Sequence, residues 1–364
     1  MKKINIKKIS FIKKHERLLM PVFLMLGFIV DWITLNRIDQ VFDNIVLFFY
    51  VLLSGISILI FHSQIQNRNI IFKKIKEFSG LLMQYAFGGL FSGLVIFYFR
   101  SSSIITSLPF LLILIILFIG NDILHKKYQK LIFQISIFYV GVFSYCNLII
   151  PILFRQINVW IFLLSSIISL LIIHLFIILV KTVIIDRDKA NNIYKFIAGI
   201  FIIFILLYFT NIIPPIPLSL KQSYVAHNVE RKIDRENGTS YVITAQKTPW
   251  YIFWKKYSND LNIFDNEPVY VFGSVFAPTN FETRIYHQWS FFDKEGGRWE
   301  NLERIPIEII GGRETGFRGY SYKNNIQKGT WRVDIETARG QVIGRVLFDI
   351  ESAEENTELI KIWR

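Results

Sequence analysis

Seven runs of about 20 apolar residues recur within the first 217 positions, and runs of that kind leave a chain few choices. At 1.5 Å per residue each is long enough, as a helix, to cross the roughly 30 Å hydrocarbon layer of a bilayer. They lie at about residues 18–35, 43–62, 80–99, 103–121, 131–154, 158–181 and 194–213. Only a few residues around Arg100 part the third run from the fourth, and only Arg155 to Ile157 part the fifth from the sixth. Both pairs are expected to form tight helical hairpins, because lipid cannot satisfy an irregular exposed backbone. The first run is too long for a cleaved leader and ends in Asp31-Trp32 with no small-residue cleavage site, so it reads as a retained first helix.

The formal net charge of +13 suggests a polyanion partner until it is divided along the chain. Residues 1–217 hold 21 Lys and Arg against 8 Asp and Glu, whereas residues 218–364 hold 20 of each. The polar half is therefore neutral and lacks the electrostatic footprint of a nucleic-acid binder. The basic excess alternates between loops. Eighteen Lys and Arg fall in the N-terminal segment and the loops after the second, fourth and sixth runs, and three (Arg37, Arg100 and Arg155) in the others. Basic loops stay in the cytoplasm, so the N-terminus is expected inside and, after seven crossings, the C-terminal half outside.

Polar residues inside apolar runs are the usual markers of transport or catalysis. Here they are Asp31, Gln84, Gln134, Asn147 and His174. Asp31 is expected near the outer end of its helix, where a carboxylate reaches headgroup water. Gly88, Gly89 and Gly93 point to close helix packing around the third run. For His174, which shares its run with Ser165, Ser166 and Ser169, a bond to a neighbouring helix is simpler than a proton relay, since no second ionisable group occurs at mid-depth. No inverted repeat with broken helices marks a transporter. The single cysteine, Cys146, lies in the fifth run, so the polar half contains neither disulfide nor thiolate metal site.

Pro214-Pro-Ile-Pro217 ends the last run and makes a short stiff spacer. A polar stretch leads to the Asn237-Gly238 turn signal and a strand over Thr239–Gln246. The segment Pro249–Tyr257, aromatic and then basic, suits either the outer headgroup layer or the core of the domain. From Glu267 the apolar period becomes two. Val269–Phe276, Thr283–Phe292, Leu302–Ile310, Phe317–Lys323, Gly329–Thr337 and Gln341–Glu351 read as strands; in Trp331-Arg-Val-Asp-Ile-Glu336 the apolar and charged residues alternate strictly. Short strands with one polar face each predict a two-sheet sandwich. The organisation expected is a transmembrane helical domain over 1–217, a membrane-proximal linker and aromatic segment over 218–266, and a β-sandwich over 267–364.

Several stretches carry a resemblance: Val275-Phe-Ala-Pro-Thr279, Tyr286-His-Gln-Trp289, Arg304-Ile-Pro-Ile307, Gly311-Gly-Arg313, Gly316-Phe-Arg-Gly-Tyr-Ser-Tyr-Lys323, Gly329-Thr-Trp-Arg-Val-Asp334 and Gly340-Gln-Val-Ile-Gly-Arg345. On them the chain resembles a bacterial family of multi-span membrane proteins that end in the "domain of unknown function 2914", tightly over about 267–351 and more loosely upstream. The resemblance implies an immunoglobulin-like sandwich on the outer face of a bacterial inner membrane. It implies no activity and no catalytic residue.

In the sandwich His287 and Trp289 share a strand face, and Arg318, Tyr320, Tyr322 and Lys323 cluster in the next glycine-rich stretch. Such a set could grip a sugar, a lipid headgroup or a peptide carboxylate, or it is ordinary sandwich packing. There is no Gly-x-Ser-x-Gly elbow, no phosphate loop, no metal-ligand spacing and no cofactor motif. The function expected is a non-enzymatic, membrane-anchored binding or assembly protein whose partner is an envelope glycan, lipid or protein. The alternative is a polytopic enzyme or transporter with a site at Asp31 or His174 and the sandwich as an accessory cover.

Overall fold

Apolar side chains at helical spacing in the first half, and at strand spacing in the second, divide the protein into two kinds of structure. A computed structural model describes residues 27–35, 37, 39–63, 70–100, 104–123, 130–183, 187–215, 217–234, 238–248, 252, 256–278, 282–310, 316–353 and 357–364. The chain folds as two compact units, a helical one made from residues up to Ile213 and a β-rich one made of Pro214–Arg364 together with the short stretches Arg100–Ser107 and Arg155–Ile157.

The helical unit contains α1 (residues 27–34), α2 (Val41–His62), α3 (Ile70–Arg100), α4 (Ile104–Ile123), α5 (Leu131–Phe154), α6 (Val159–Val183) and α7 (Arg187–Phe209). Among the described residues five stretches are long and apolar enough to cross a membrane: Val41–His62, Phe78–Arg100, Leu131–Phe154, Val159–Thr182 and Asn191–Phe209. These coincide with five of the seven expected runs. Half of the first expected run, residues 18–26, lies outside the described residues. The fourth corresponds to α4, which is apolar over Ser107–Ile119. Along α2, Phe42, Ile45, Phe49, Leu52 and Ile56 are exposed while Leu47, Val51, Ser54 and Ile58 are buried. One apolar face thus meets protein and another meets the surroundings, the pattern of a helix at the rim of a membrane bundle.

The central helix of this unit is α5, with buried residues on every side. Its neighbours come close where side chains are small: a Cβ on Gly141 would sit 2.6 Å from Leu90 Cδ2. Rings fill the remaining gaps, with Phe143 stacked on Phe204 at 4.2 Å between α5 and α7. Several polar groups of α5 are hydrogen-bonded. Gln134 Oε1 lies 2.8 Å from His62 Nε2, Tyr98 Oη donates to the Ser144 carbonyl at 2.9 Å, and the Asn147 amide returns to the Phe143 carbonyl.

The β-rich unit contains β1 (Ser219–Ala226), β2 (Asn228–Asp234), β3 (Gly238–Gln246), β4 (Leu261–Ile263), β5 (Val269–Phe276), β6 (Glu282–Asp293), β7 (Arg298–Ile310), β8 (Phe317–Lys323), β9 (Gly329–Thr337), β10 (Val342–Ser352) and β11 (Leu359–Trp363). They form three sheets, ordered β1-β5-β8, β4-β10-β9-β6-β7 and β11-β3-β2. Two sheets were expected, and the difference follows from β1 and β5, which bury both of their faces. Val225, Val269 and Val271 point into a core with Leu261, Trp289, Trp331, Val333, Val346, Phe348 and Ile350 of the five-stranded sheet. Tyr224, Ala226 and Phe272 point the other way, into a core with Val229, Tyr241 and Ile243 of the third sheet. The β1-β5-β8 sheet is thus the middle of three layers.

Residues 218–266 are therefore not a linker. They supply β1 to β4; β1 pairs with β5 from Ser219↔Phe276 to Ala226↔Tyr270, and β2 pairs with β3. Polar Lys221, Gln222 and Ser223 hide β1 from a period-two reading, because this end of the strand is more open than Tyr224–Ala226. In the aromatic segment Tyr257 packs on Tyr224 with ring centroids 4.7 Å apart; residues 249–251 and 253–255 lie outside the described residues.

Candidate functional site

Strand alternation sets which side chains of β6 face inward. Ile285, His287 and Trp289 are fully buried or nearly so, while Tyr286 and Gln288 lie on the opposite face. The expected binding pair His287 and Trp289 is thus sealed in the core rather than offered to a ligand. It makes one polar network there. Trp289 Nε1 donates to Ser321 Oγ at 3.0 Å, and Ser321 Oγ lies 2.8 Å from His287 Nδ1. An indole nitrogen can only donate, so the serine oxygen accepts from Trp289. The arrangement that employs the serine proton donates it to His287 Nδ1, which leaves the ring hydrogen on Nε2. That atom is buried with no hydrogen-bond partner, under the backbone of Gly273, where an added Cβ would lie 3.4 Å away.

Burial disfavours the imidazolium and pushes the His287 pKa down to about 3. The residue is therefore a neutral structural group at physiological pH. A serine beside a histidine invites comparison with a nucleophile and its base. Ser321 is itself buried and engaged by two rings, so the pair cross-links β6 to β8.

The other four expected site residues do meet the surface. Arg318, Tyr320, Tyr322 and Lys323 belong to β8, which pairs with β5 on one side only and forms the edge of the middle sheet. Tyr322 is half-exposed and stacks on its cross-strand partner Tyr270, with centroids 5.4 Å apart and planes 29° from parallel. Tyr320 turns toward the third sheet, within ring contact of Tyr241 and Tyr270. Tyr241 Oη reaches the Arg318 carbonyl at 3.4 Å.

The edge of the five-stranded sheet, β7, runs near β8. The two are closest at Gly319, where a Cβ would stand 2.6 Å from Ile307 Cγ2. Beyond that contact they part and leave a groove of about 640 Å³ lined by Glu303, Ile305, Tyr320, Ser321, Tyr322, Lys323 and Asn324. Lys323 Nζ and Glu303 Oε2, 3.1 Å apart, bridge it. Sequence reasoning missed Glu303, Ile305 and Asn324. Glu303 and Ile305 lie on another strand, and only the path of two sheet edges brings Glu303 beside Lys323.

The outer face of the five-stranded sheet carries a second polar assembly. Asp334 accepts from Arg345 Nε at 2.6 Å and Nη2 at 2.8 Å and lies 3.3 Å from Arg332 Nε. Arg304 pairs with Glu336 at 2.8 Å and stacks over Tyr286 at 4.0 Å. Every charge here has an opposite partner, which makes this a structural brace.

In the helical unit, His174 Nδ1 lies 3.0 Å from Tyr194 Oη of α7, the neighbouring-helix bond that the sequence favours. Asp31 is half-buried in α1. Among the described residues no group of three or more His, Cys, Asp or Glu is arranged to hold a metal ion.

Residues 282–350 match the family described as "Protein of unknown function (DUF2914)". The match covers β6 to β10 and speaks for that region alone. No curated protein matches the chain. Two solved structures are similar: an immunoglobulin-like protein from Pseudomonas aeruginosa (6% identity, 36% of this chain and 97% of that one, TM-score 0.19), and an alkylpurine DNA glycosylase from Pseudomonas fluorescens bound to DNA with an abasic site analogue (8% identity, 87% and 99%, TM-score 0.22). Likenesses at those scores carry no argument about fold or function.

Proposed function

We propose that the protein is a non-enzymatic membrane anchor that presents its β-rich unit to a component of the bacterial envelope. In this reading seven helices cross the inner membrane, with residues 1–217 as the membrane domain and the N-terminus in the cytoplasm. The β-rich unit lies in the periplasm, and its five-stranded sheet and the β1-β5-β8 sheet form an immunoglobulin-like sandwich. The asymmetry of eighteen basic residues against three between alternate loops supports this orientation.

The observation that carries a binding role is the groove between β7 and β8. It brings a carboxylate and an ammonium together on two strand edges, with Tyr322 exposed on the other face of β8, while the histidine and serine that could suggest catalysis are locked in the core. A few polar groups set in a rigid concave frame are the usual make-up of a recognition site.

The test is a pair of measurements on the full chain. A reporter fused after Arg364 that works only outside the cytoplasm is expected to be active, and a cytoplasmic reporter silent. Crosslinking from position 322 in intact cells is expected to trap an envelope component. An active cytoplasmic reporter would reject the orientation, and with it the role.

A further inference from the structure

Residues 320–324 line the groove between β7 and β8 one after another, yet their side chains cannot all point into it. Alternation sends the rings of Tyr320 and Tyr322 to the face where they meet Tyr270. It sends Ser321 and Lys323 to the opposite face, where they meet His287, Trp289 and Glu303. What an unbroken run of neighbours has in common is its main chain. The groove therefore follows the edge of β8, whose other edge is paired with β5. Every second residue of such an edge turns its N–H and C=O outward. Among the described residues no strand pairs with them. The gap beside this edge is propped open. Ile307 rests on Gly319 at one point, and the Glu303–Lys323 ion pair ties β7 to β8 at another, at 3.1 Å. Ile305 lies between Glu303 and Ile307 on the same face of β7 and forms the facing wall.

From this geometry we infer that the groove accepts an extended segment of an envelope protein, which pairs its main chain with the free edge of β8 and lengthens the middle sheet by one strand. The inference rests on the proposed binding role and names its partner class. An extended polypeptide carries alternating N–H and C=O groups at the spacing that an unpaired edge presents, so each outward group of β8 gains a partner. Residues 320–324 extend over about 13 Å, the reach of a segment of about five residues. The groove's volume of about 640 Å³ suits one such segment rather than a whole domain. Side chains of the added strand alternate too. One set lies beside Tyr322, whose ring is half-exposed and held by stacking on Tyr270; the other set lies beside Ile305 and the ion pair. An aromatic or β-branched residue at every second position therefore fits best. A polyanion fits poorly, because among the described residues Lys323 is the one cation on the groove wall and Glu303 already cancels it. A sugar fits poorly too, because the Tyr322 ring lies on the other face of β8 from the carboxylate and ammonium.

The experiment uses the full-length protein in nanodiscs and fluorescein-labelled octapeptides that alternate Thr with Val, Ile, Phe or Tyr, read by fluorescence polarisation. At least one is expected to bind. The same peptide is then N-methylated at every second residue, in each of the two phases. One phase removes the N–H groups that face β8 and should weaken binding by at least about tenfold, and the other by less than about threefold. Deuterium uptake over residues 320–324 should slow by at least about tenfold in the complex, while that over β2, at an edge of the third sheet, stays as it was. The inference is overturned if no octapeptide binds, if the two phases of methylation act alike, or if uptake at 320–324 does not change. A disulfide-linked dimer of Tyr322→Cys, formed with no octapeptide binding, would make a second copy the occupant and also overturn it. A lipid or glycan trapped through position 322, with no peptide bound, would reject strand addition and keep the wider binding role. An active cytoplasmic reporter after Arg364, with octapeptides still bound, would reject the envelope role and keep strand addition.

Discussion

Acid should loosen the β-rich unit through one residue, His287. Unfolded, its imidazole titrates near the ordinary value of 6.5; folded, burial holds it near 3. Between those two values the unfolded chain takes up a proton that the folded chain refuses, so stability falls as the pH falls. The loss begins below pH 6.5 and is about 2 kcal/mol by pH 5, approaching about 5 kcal/mol near pH 3. Glu336 acts in the opposite sense. Burial raises its carboxyl despite the help of Arg304, so it contributes stability in acid that is lost as the pH rises. A His287→Gln variant separates the two, because glutamine retains an acceptor for Ser321 but no titration. Urea unfolding of the full-length protein in detergent, followed by tryptophan emission at pH 7.5 and 5.0, supplies four free energies. The decrease between the two pH values should be smaller in the variant by about 2 kcal/mol. Equal decreases in the two proteins would show that His287 is hydrated or already charged, and the account of its sealed network would fail.

Four further substitutions test the frame. Gly316 has φ +86°, and a Cβ there would meet Ser274 Oγ at 2.6 Å and the Val275 backbone at 3.0 Å; Gly316→Ala should cost about 1–3 kcal/mol in thermal unfolding. Asp334→Asn leaves Arg345 and Arg332 facing each other in a site where the aspartate is only 7% exposed. It should cost about 3 kcal/mol by denaturant titration, whereas Lys323→Ala, at a wet ion pair, should change stability by less than about 1 kcal/mol. Trp331→Ala removes a fully buried ring packed at 5.1 Å from Phe291 and 6.3 Å from Trp289, and should cost about 3–5 kcal/mol or abolish cooperative unfolding in the same titration.

Much of the frame is legible from spacing. Five apolar runs become five long helices because a helix needs only local information, and β5, β8 and β9 occupy the residues that alternation assigns. Alternation states which residues share a face, but it does not state which face is inside. For β6 the missing signal was present in the strand: His287 and Trp289 alternate with Ile285 and Phe291, and a face with three large apolar members belongs in a core. The third sheet was harder to see, since β1 opens with Leu220-Lys-Gln-Ser223 and β11 exposes Leu359 and Trp363. The groove was only half legible. Tyr322 and Lys323 stand together in sequence, but Glu303 reaches Lys323 through the path of two sheet edges, which no local pattern records.

Strand β5 has hydrogen-bonded strands on both sides and another sheet over each face, so it has neither a wet edge nor a wet surface. Opening of the other two sheets leaves its amides covered, and they are released only when β1 or β8 detaches. Deuterium uptake at Val271–Val275 would therefore clock loss of the middle layer, and a ligand that binds only with β8 in place would slow that clock by up to the full free energy of its binding.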